Sequence, residues 1–409
     1  LYGQALSSAL ILESIDLPEQ SSASFGLTVI GLNAGFQDLS KKKNSSWGVN
    51  YGYTNLAPAF EVFKQQQDYS KAPEYHNADA NFRIKTSRTG ILKYYGYWNK
   101  SQLAFTNNSI DTPGYYDKFS LRNTNTYHNF SWRENLGKGW KLQTGVSFSL
   151  NEDHIKSGLQ DAAKKDILLP GFEFKQFGLV NKGSFFNARF VMEKRIVGLS
   201  ILRFGSEYNY SDEKTTFNAY NNQVFPQAVK ENLKAVFAES DIYVTNNIAA
   251  KVGARWEQSN LLNKTNLAPR ISLAYKFSKQ AQASLAYGEF YQNPERKYLP
   301  ANGALTFSKA THYIAQYLKT SGLITFRAEV FYKKYDALVK TTSINGLEQA
   351  ANNNGYGDAK GIEFFWRDKK TIKDLDYWIS YSYLDTKRDF LNYPMEIMPN
   401  FAAKHTASL

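Results

Sequence analysis

The stretch WKLQTGVSFSL, residues 140–150, puts Trp140, Leu142, Thr144, Val146, Phe148 and Leu150 on one set of alternate positions. The other set holds Lys141, Gln143, Gly145, Ser147 and Ser149. A period of two belongs to a β-strand with one apolar and one polar face. The same alternation returns along the chain. Ile271, Leu273, Tyr275 and Phe277 alternate with Ser272, Ala274, Lys276 and Ser278, and Val252, Ala254 and Trp256 with Lys251, Gly253, Arg255 and Glu257. Alternation with β-branched and aromatic enrichment predicts about seventeen strands. They fall at 22–39, 45–54, 77–87, 91–105, 118–136, 139–152, 184–195, 199–212, 230–246, 248–262, 267–278, 281–293, 307–320, 323–341, 355–370, 374–390 and 403–409. The fold class is all-β.

The connections narrow this further. Short ones fall at SKKKNS, RTG (88–90), GKG (137–139), VG (197–198), NN (246–247), KQ (279–280), SG (321–322) and 371–373. Between them come long ones at 55–76, 106–117, 153–183, 213–229, 294–306, 342–354 and 391–402. Only 262–266 is short where the pattern calls for a long one. Short turns on one side and long loops on the other are what an up-and-down antiparallel membrane barrel predicts. The polar faces carry charges of both signs, which a soluble core rejects. They therefore meet water, and the apolar faces look outward to lipid.

Composition agrees. The mean hydropathy of −0.49 goes with the lack of any apolar run long enough for a helical span. Aromatic residues make up 15% of the chain, enough to supply interfacial girdles. There is no cysteine, which closes disulfide and thiolate-metal chemistry. The net charge of +12 sits partly in turns such as KKKN (41–44) and DKKTIK (368–373), where lysine is a solvated turn residue. Leu1 opens without an initiator methionine, and KHTASL closes in strand-like sequence, so a longer parent protein is expected.

Catalytic chemistry finds little support. The five histidines are His76, His128, His154, His312 and His405. His154 follows Glu152 and Asp153, an acid–base pairing that reads more simply as a polar strand exit. No metal-ligand spacing, phosphate loop or dinucleotide fingerprint occurs, so no catalytic residue, metal or cofactor is expected. The candidates for a role are ionic residues on polar faces: Arg189, Arg255, Glu257, Glu289, Arg327, Glu329, Glu363 and Arg367. They line a lumen or simply hydrate it. The long loops offer Phe60, Phe63, Tyr69, Tyr75, Phe172, Phe174, Phe177, Tyr220 and Tyr298 as ligand-stacking aromatics, although loops packed on one another would look alike.

Several ordered segments carry a resemblance. LYGQALSSALILESIDLPE (1–19), with Tyr2, Gly3, Leu6, Ser7, Ser8 and Ile11, resembles the join between plug and barrel in TonB-dependent outer-membrane receptors. LAPRISLAYKFSKQAQASLAYGEFYQNPE (267–295) resembles their mid-barrel hairpin. YGYTNLAPAF (51–60) and YPMEIMPNFAAKHTASL (393–409) are similar to Bacteroidetes-type members. The resemblance implies a Gram-negative outer-membrane location and a barrel of about 22 strands closed by an N-terminal plug. Residues 1–21 would be the end of the plug and its linker, and 22–409 the barrel without its last strands. It also implies import of a scarce ligand (ferric chelate, cobalamin, glycan or peptide), energised through TonB. The ionic residues named above would then form the wall against which the plug packs. Implied partners are outer-membrane lipid and lipopolysaccharide, the plug of the same polypeptide, the TonB complex and a surface lipoprotein, with no nucleic acid. The positive charge tilts the ligand toward an anion. The rivals are a structural, adhesive or secretion-assembly barrel without import and, third, a soluble lectin-like β protein.

Overall fold

The computed structural model describes residues 2–7, 13–299, 304–344 and 347–409. Ser8 and Ile11 of the N-terminal segment and part of the predicted 342–354 connection lie outside them. The described chain is a run of antiparallel strands. The first half holds β1 (Ser22–Thr28), β2 (Gly31–Leu39), β3 (Ser45–Asn55), β4 (Asp68–Lys85), β5 (Ile91–Asn108), β6 (Tyr116–Gly137), β7 (Trp140–Gln160), the two-residue β8 (Asp166–Ile167) and β9 (Phe177–Arg195). The second holds β10 (Ile201–Ala219), β11 (Val224–Tyr243), β12 (Ile248–Ser259), β13 (Lys264–Lys276), β14 (Ala281–Gln292), β15 (Ser308–Thr320), β16 (Ile324–Ile344), β17 (Leu347–Asp368), β18 (Tyr377–Asp389) and β19 (His405–Ser408). Each strand pairs with its sequence neighbour, except that β7 carries both the short β8 and the full length of β9. One helix, α1 (Ala57–Val62), and two single 3₁₀ turns interrupt the loops.

Faces follow the predicted alternation. On β12, Arg255, Glu257 and Ser259 are buried while Val252, Ala254 and Trp256 are exposed. On β13, Leu267, Ile271, Leu273 and Tyr275 stand exposed between half-buried or buried Asn266, Ala268, Arg270 and Ser272. On β7, Val146, Phe148 and Leu150 are exposed. An exposed apolar band backed by a buried polar wall inverts a soluble sheet, and lipid is the solvent that stabilises it. Trp256, opposite Leu267, marks one end of the band on this wall, and Tyr275 with Phe277 marks the other.

Several expectations change, among them the 55–76 and 153–183 connections, of which 68–76, 153–160 and 177–183 are strand. The predicted 22–39 strand is the β1–β2 hairpin, in which Thr28 pairs directly with Gly31 across Val29 and Ile30. Two β-branched residues occupy that turn, so no turn chemistry announced it. Gly31 is required there, because a Cβ would strike the Tyr53 carbonyl oxygen. The predicted 213–229 loop is paired strand apart from residues 220–223. Pro226 sits opposite Thr216 in a stretch of β11 that lacks β12 pairing, a sheet edge where proline is tolerated. Likewise β16 and β17 run together to Ile344 and Leu347, through register shifts near Leu338 and Lys340. Finally, the predicted 371–373 turn widens to 369–376.

The two ends nevertheless differ as expected. One end collects 40–44, 86–90, 138–139, 196–200, 244–247, 277–280, 321–323 and 369–376. The other collects the longer 56–67, 109–115, 161–176, 293–307 and 390–404, with 29–30, 220–223 and 260–263 as tight turns among them. The first end is periplasmic in barrels of this kind and the second external. The face assignment predicts that Val146→Arg, on the outer face of β7, lowers folding stability in lipid vesicles by about 2–4 kcal/mol, whereas its neighbour Ser147→Arg, directed inward, costs under about 1 kcal/mol. Urea titration of the refolded barrel measures both.

Candidate functional site

The inner wall holds a short stretch of the chain's own N-terminus. The Tyr2 ring lies under the Arg189 guanidinium, 3.9 Å from the ring centroid. The Tyr2 carbonyl accepts a hydrogen bond from Arg270 at 2.6 Å. Gly3 fits because it has no side chain, since a Cβ there would collide with the Glu257 carboxylate and the Arg255 guanidinium. The Gln4 amide donates to Glu257 Oε2 (3.1 Å), and its carbonyl accepts from the Asn293 backbone N–H (2.9 Å). His312 Nε2 donates to the Leu6 carbonyl at 2.9 Å, which places the proton on that nitrogen. The Leu6 side chain packs on a buried cluster of Ala310, Tyr335, Leu338 and Ala359.

An ion network lies behind this stretch. Arg255 pairs with Glu257 at 2.7 Å and with Glu207 at 3.2 Å, and Arg189 approaches Glu207 at 3.8 Å. Arg255 and Glu257 are each 2% exposed, and Asn266 completes Glu257 with a 3.1 Å hydrogen bond. A buried ion pair contributes little net stability, but removing one partner strands the other charge. Glu257→Ala therefore lowers stability by about 3 kcal/mol, the low end for such a deletion because Glu207 still faces Arg255. The same variant exposes residues 2–6 to faster amide exchange.

A second anchor lies near the periplasmic end, on β5 and β6. Asp16 bridges Lys93 (2.8 Å) and Arg133 (2.7 Å), and Lys93 also donates to the Ser14 carbonyl (2.8 Å). The Lys93 hydrogen bond, followed by its charge and that of Arg133, holds the Asp16 carboxyl below its ordinary value. A carboxyl depressed by docking supports the docked state above its free pKa and loses that support as pH falls through the depressed one. Residues 13–17 thus stay protected at pH 6 and become protease-accessible only in acid below the ordinary aspartate range, which limited proteolysis on either side of that range checks. Between the segment and the entry to β1, Ser21 bonds Asp38 (2.8 Å) and the Leu39 N–H (2.9 Å).

The predicted ionic residues divide. Arg189, Arg255 and Glu257 converge on the N-terminal stretch. Arg327 lies 3.8 Å from Glu363, and Glu329 accepts from Gln316 at 2.8 Å, a separate patch of the inner wall. Arg367 leaves the wall for the periplasmic turn, where it clamps Asp376 with two hydrogen bonds of 3.0 and 2.7 Å. Glu289 is a correction. It shares the outer face of β14 with Leu285, which is 62% exposed, and is neutralised by Lys309 and the Tyr287 and Tyr291 hydroxyls. The phase of β14 is set by Gly288 and Phe290, which face Arg270 and His312. Sequence reading missed Glu207, Arg270, His312 and the Asp16 clamp. Glu207 and Arg270 sit on inward-phase positions, a signal that was readable.

Among the aromatics, Phe63 (67% exposed), Phe174 (64%) and Tyr220 are exposed at the external end. Phe60 packs on Tyr69, and Tyr69 in turn on Phe105. Phe172 lies beside Phe174, and Phe177 stacks on Phe217. Tyr69 and Tyr75 belong to β4 and Phe177 opens β9, rather than lying in loops. Tyr298 is 2% exposed, in a cluster with Leu233, Leu262, Leu305 and Phe307, and is core rather than a ligand platform.

Above the N-terminal stretch lies an open cavity of about 580 Å³. Gly3 and Gln4 floor it, the inner faces of β7, β9, β10 and β11 wall it, and residues 292–296 complete it. Arg296 reaches from that loop to Glu213 and lies over the Phe185 ring.

An antiparallel wall with an outward apolar band, an ionic lumen and a chain segment docked inside defines an outer-membrane β-barrel of the receptor class. The comparisons agree. Residues 64–409 match the family described as TonB dependent receptor-like, beta-barrel, and the chain belongs to that family. It is a protein of the Gram-negative outer membrane. Similar solved structures include the outer-membrane transporter YddB of Escherichia coli (12% identity, TM-score 0.64, covering 88% of this chain and 54% of that one). The alcaligin outer-membrane receptor FauA of Bordetella pertussis is another (13%, 0.61, 90% and 60%). A variant of the ferric enterobactin receptor PfeA of Pseudomonas aeruginosa is a third (12%, 0.65, 89% and 61%). The chain thus spans little more than half the length of these structures. No curated protein matches it by sequence.

Proposed function

We propose that this chain forms the pore wall of a receptor that imports a scarce ligand into the periplasm, with residues 1–21 as the end of a lumen plug and its linker. The carrying observation is the two-point docking of the N-terminal stretch, on Arg189, Arg255, Glu257, Arg270 and His312 at one place and on Lys93 and Arg133 at another. A wall that served only as a scaffold has no need for buried charges shaped around a glycine. Hydrogen bonds and ion pairs of this kind hold a segment firmly yet exchange for water when it is pulled, which suits a gate opened by force transmitted from TonB. Membership of a family of transport receptors and the likeness to solved outer-membrane transporters and receptors support the class. The ligand class (ferric chelate, cobalamin, glycan or peptide) and the Bacteroidetes-type subgroup belong to the same proposal.

Cells carrying the intact parent protein should accumulate one member of a labelled panel of ferric chelates, cobalamin and oligosaccharides. A protonophore or loss of TonB should abolish that uptake. Uptake indifferent to both, or none across the panel, would leave a structural or adhesive barrel as the better reading.

A further inference from the structure

The charge of this chain is divided unevenly between its two ends. Lys41, Lys42 and Lys43 share one periplasmic turn, and Lys369, Lys370 and Lys373 share another. Arg88, Lys138 and Lys279 add one cation each to three further turns. Against these nine cations the same turns hold two carboxylates, Asp374 and Asp376. The external connections are longer, yet they carry seven cations and seven carboxylates. More than half of the net charge of +12 therefore lies in the periplasmic turns. Lysine is an ordinary turn residue, but turn chemistry alone gives no reason for one end to be neutral and the other cationic.

All nine of these residues are exposed. Among the described residues only Lys369 has an ion-pair partner, Asp376 at 3.1 Å. Two of the nine occupy left-handed backbone, Lys43 at φ 51° and Lys138 at φ 49°, where glycine or asparagine costs less. The charge is kept there against a backbone preference.

These turns begin where the apolar band stops. Phe277, 60% exposed, closes the band on β13, and Lys279 follows in the same turn. Trp47, Trp140 and Trp366 stand on the outer face beside the turns at 40–44, 138–139 and 369–376. Lys194 lies over the Trp140 ring, 4.8 Å from its centroid, and donates to the Lys138 carbonyl at 2.8 Å. Val197 and Leu199 on one turn, and Ile372 and Leu375 on another, are exposed at the same level. Indole rings and apolar tips set among lysines are how a surface engages the boundary between acyl chains and headgroups. Turns this short stay within the headgroup layer, about 5–8 Å deep on each side of the hydrocarbon. The cations thus lie at the depth of lipid phosphates.

We propose that the periplasmic turns form a cationic collar that selects anionic phospholipid headgroups in the periplasmic leaflet. A phosphodiester there meets lysines that no protein carboxylate neutralises, while the indole rings set the depth of the collar. The balanced external end makes no such demand, so the charge division also favours one orientation of the barrel against an anionic leaflet. The collar depends neither on the identity of an imported ligand nor on import itself.

The test is electron spin resonance of spin-labelled phosphatidylglycerol and, separately, spin-labelled phosphatidylcholine around the intact parent receptor in phosphatidylcholine vesicles. The fraction of each label immobilised by the barrel gives the preference between them. One lysine–headgroup contact per lipid predicts about a fivefold preference for the anionic label at the collar, and so about threefold averaged over both leaflets. About 1 M salt should bring it close to one. Lys41→Gln, Lys42→Gln and Lys43→Gln, combined with Lys369→Gln, Lys370→Gln and Lys373→Gln, should do the same at low salt. Lys64→Gln with Lys165→Gln, at the external end, should leave the preference in place. Heat-modifiable gel migration reports whether each variant folds, and either triple variant alone, expected to lose part of the preference, decides if the combined one does not fold. The proposal is overturned if the parent shows no preference, if the preference survives salt, or if folded turn variants keep it. A preference lost with the external pair instead would place the lipid contact at the opposite end and overturn it equally.

Discussion

Inside a bilayer no water satisfies a backbone N–H or C=O, and everything else in this fold depends on that fact. Strands can cross only if each pairs with its neighbours, so the chain runs as an unbroken antiparallel meander. Pairing fixes the pleat, and the pleat assigns every residue to lipid or to lumen. Ile271 and Leu273 can therefore face hydrocarbon while Arg270, one position away, reaches the docked segment. A one-residue slip of β13 would exchange those environments and leave a guanidinium in lipid.

The lumen answers a second constraint. Charges withdrawn from bulk water need partners, and the wall supplies them in blocks rather than as isolated pairs. Glu193, Arg203, Glu239, Asp241 and Lys251 form one block on β9 to β12. Arg189, Glu207, Arg255 and Glu257 form another further toward the external end of the same strands. The N-terminal stretch meets only the second block, which is completed by groups the segment brings: the Tyr2 ring, the Gln4 amide and the absent side chain of Gly3. Specific docking and reversibility are compatible here because the contacts, apart from the packing of Leu6, are polar. Water can replace each of the polar contacts, as it could not replace a buried apolar interface of equal size.

Legibility in the sequence tracked the source of each signal. Where lipid lies on one face and water on the other, alternation is strong, and β12, β13 and the start of β7 were readable to within a few residues. Above the membrane both faces meet water, so alternation fades, and the extensions of β10, β11, β16 and β17 looked like loops. The β1–β2 turn was hidden because Val29 and Ile30 continue the strand composition. Three of the eight ionic candidates meet the docked segment, since alternation reveals a face but not which part of the barrel a strand occupies. Glu289 misled because β14 alternates weakly: aromatic residues lie on both of its faces, and Gly288 offers no side chain to mark the inner one. Tyr298 misled because aromatic loop composition does not distinguish a platform from a core.

The central claim is that the stretch held by Gln4 must leave the wall for transport to occur. The 409 residues contain no cysteine, so the pair Gln4→Cys with Asn293→Cys places the first thiols in this part of the intact receptor. The direct measurement is ligand uptake by cells bearing this double variant, with the disulfide formed and then reduced. Uptake lost on oxidation and recovered on reduction is the predicted result. Undiminished uptake with the disulfide demonstrably closed would contradict the account.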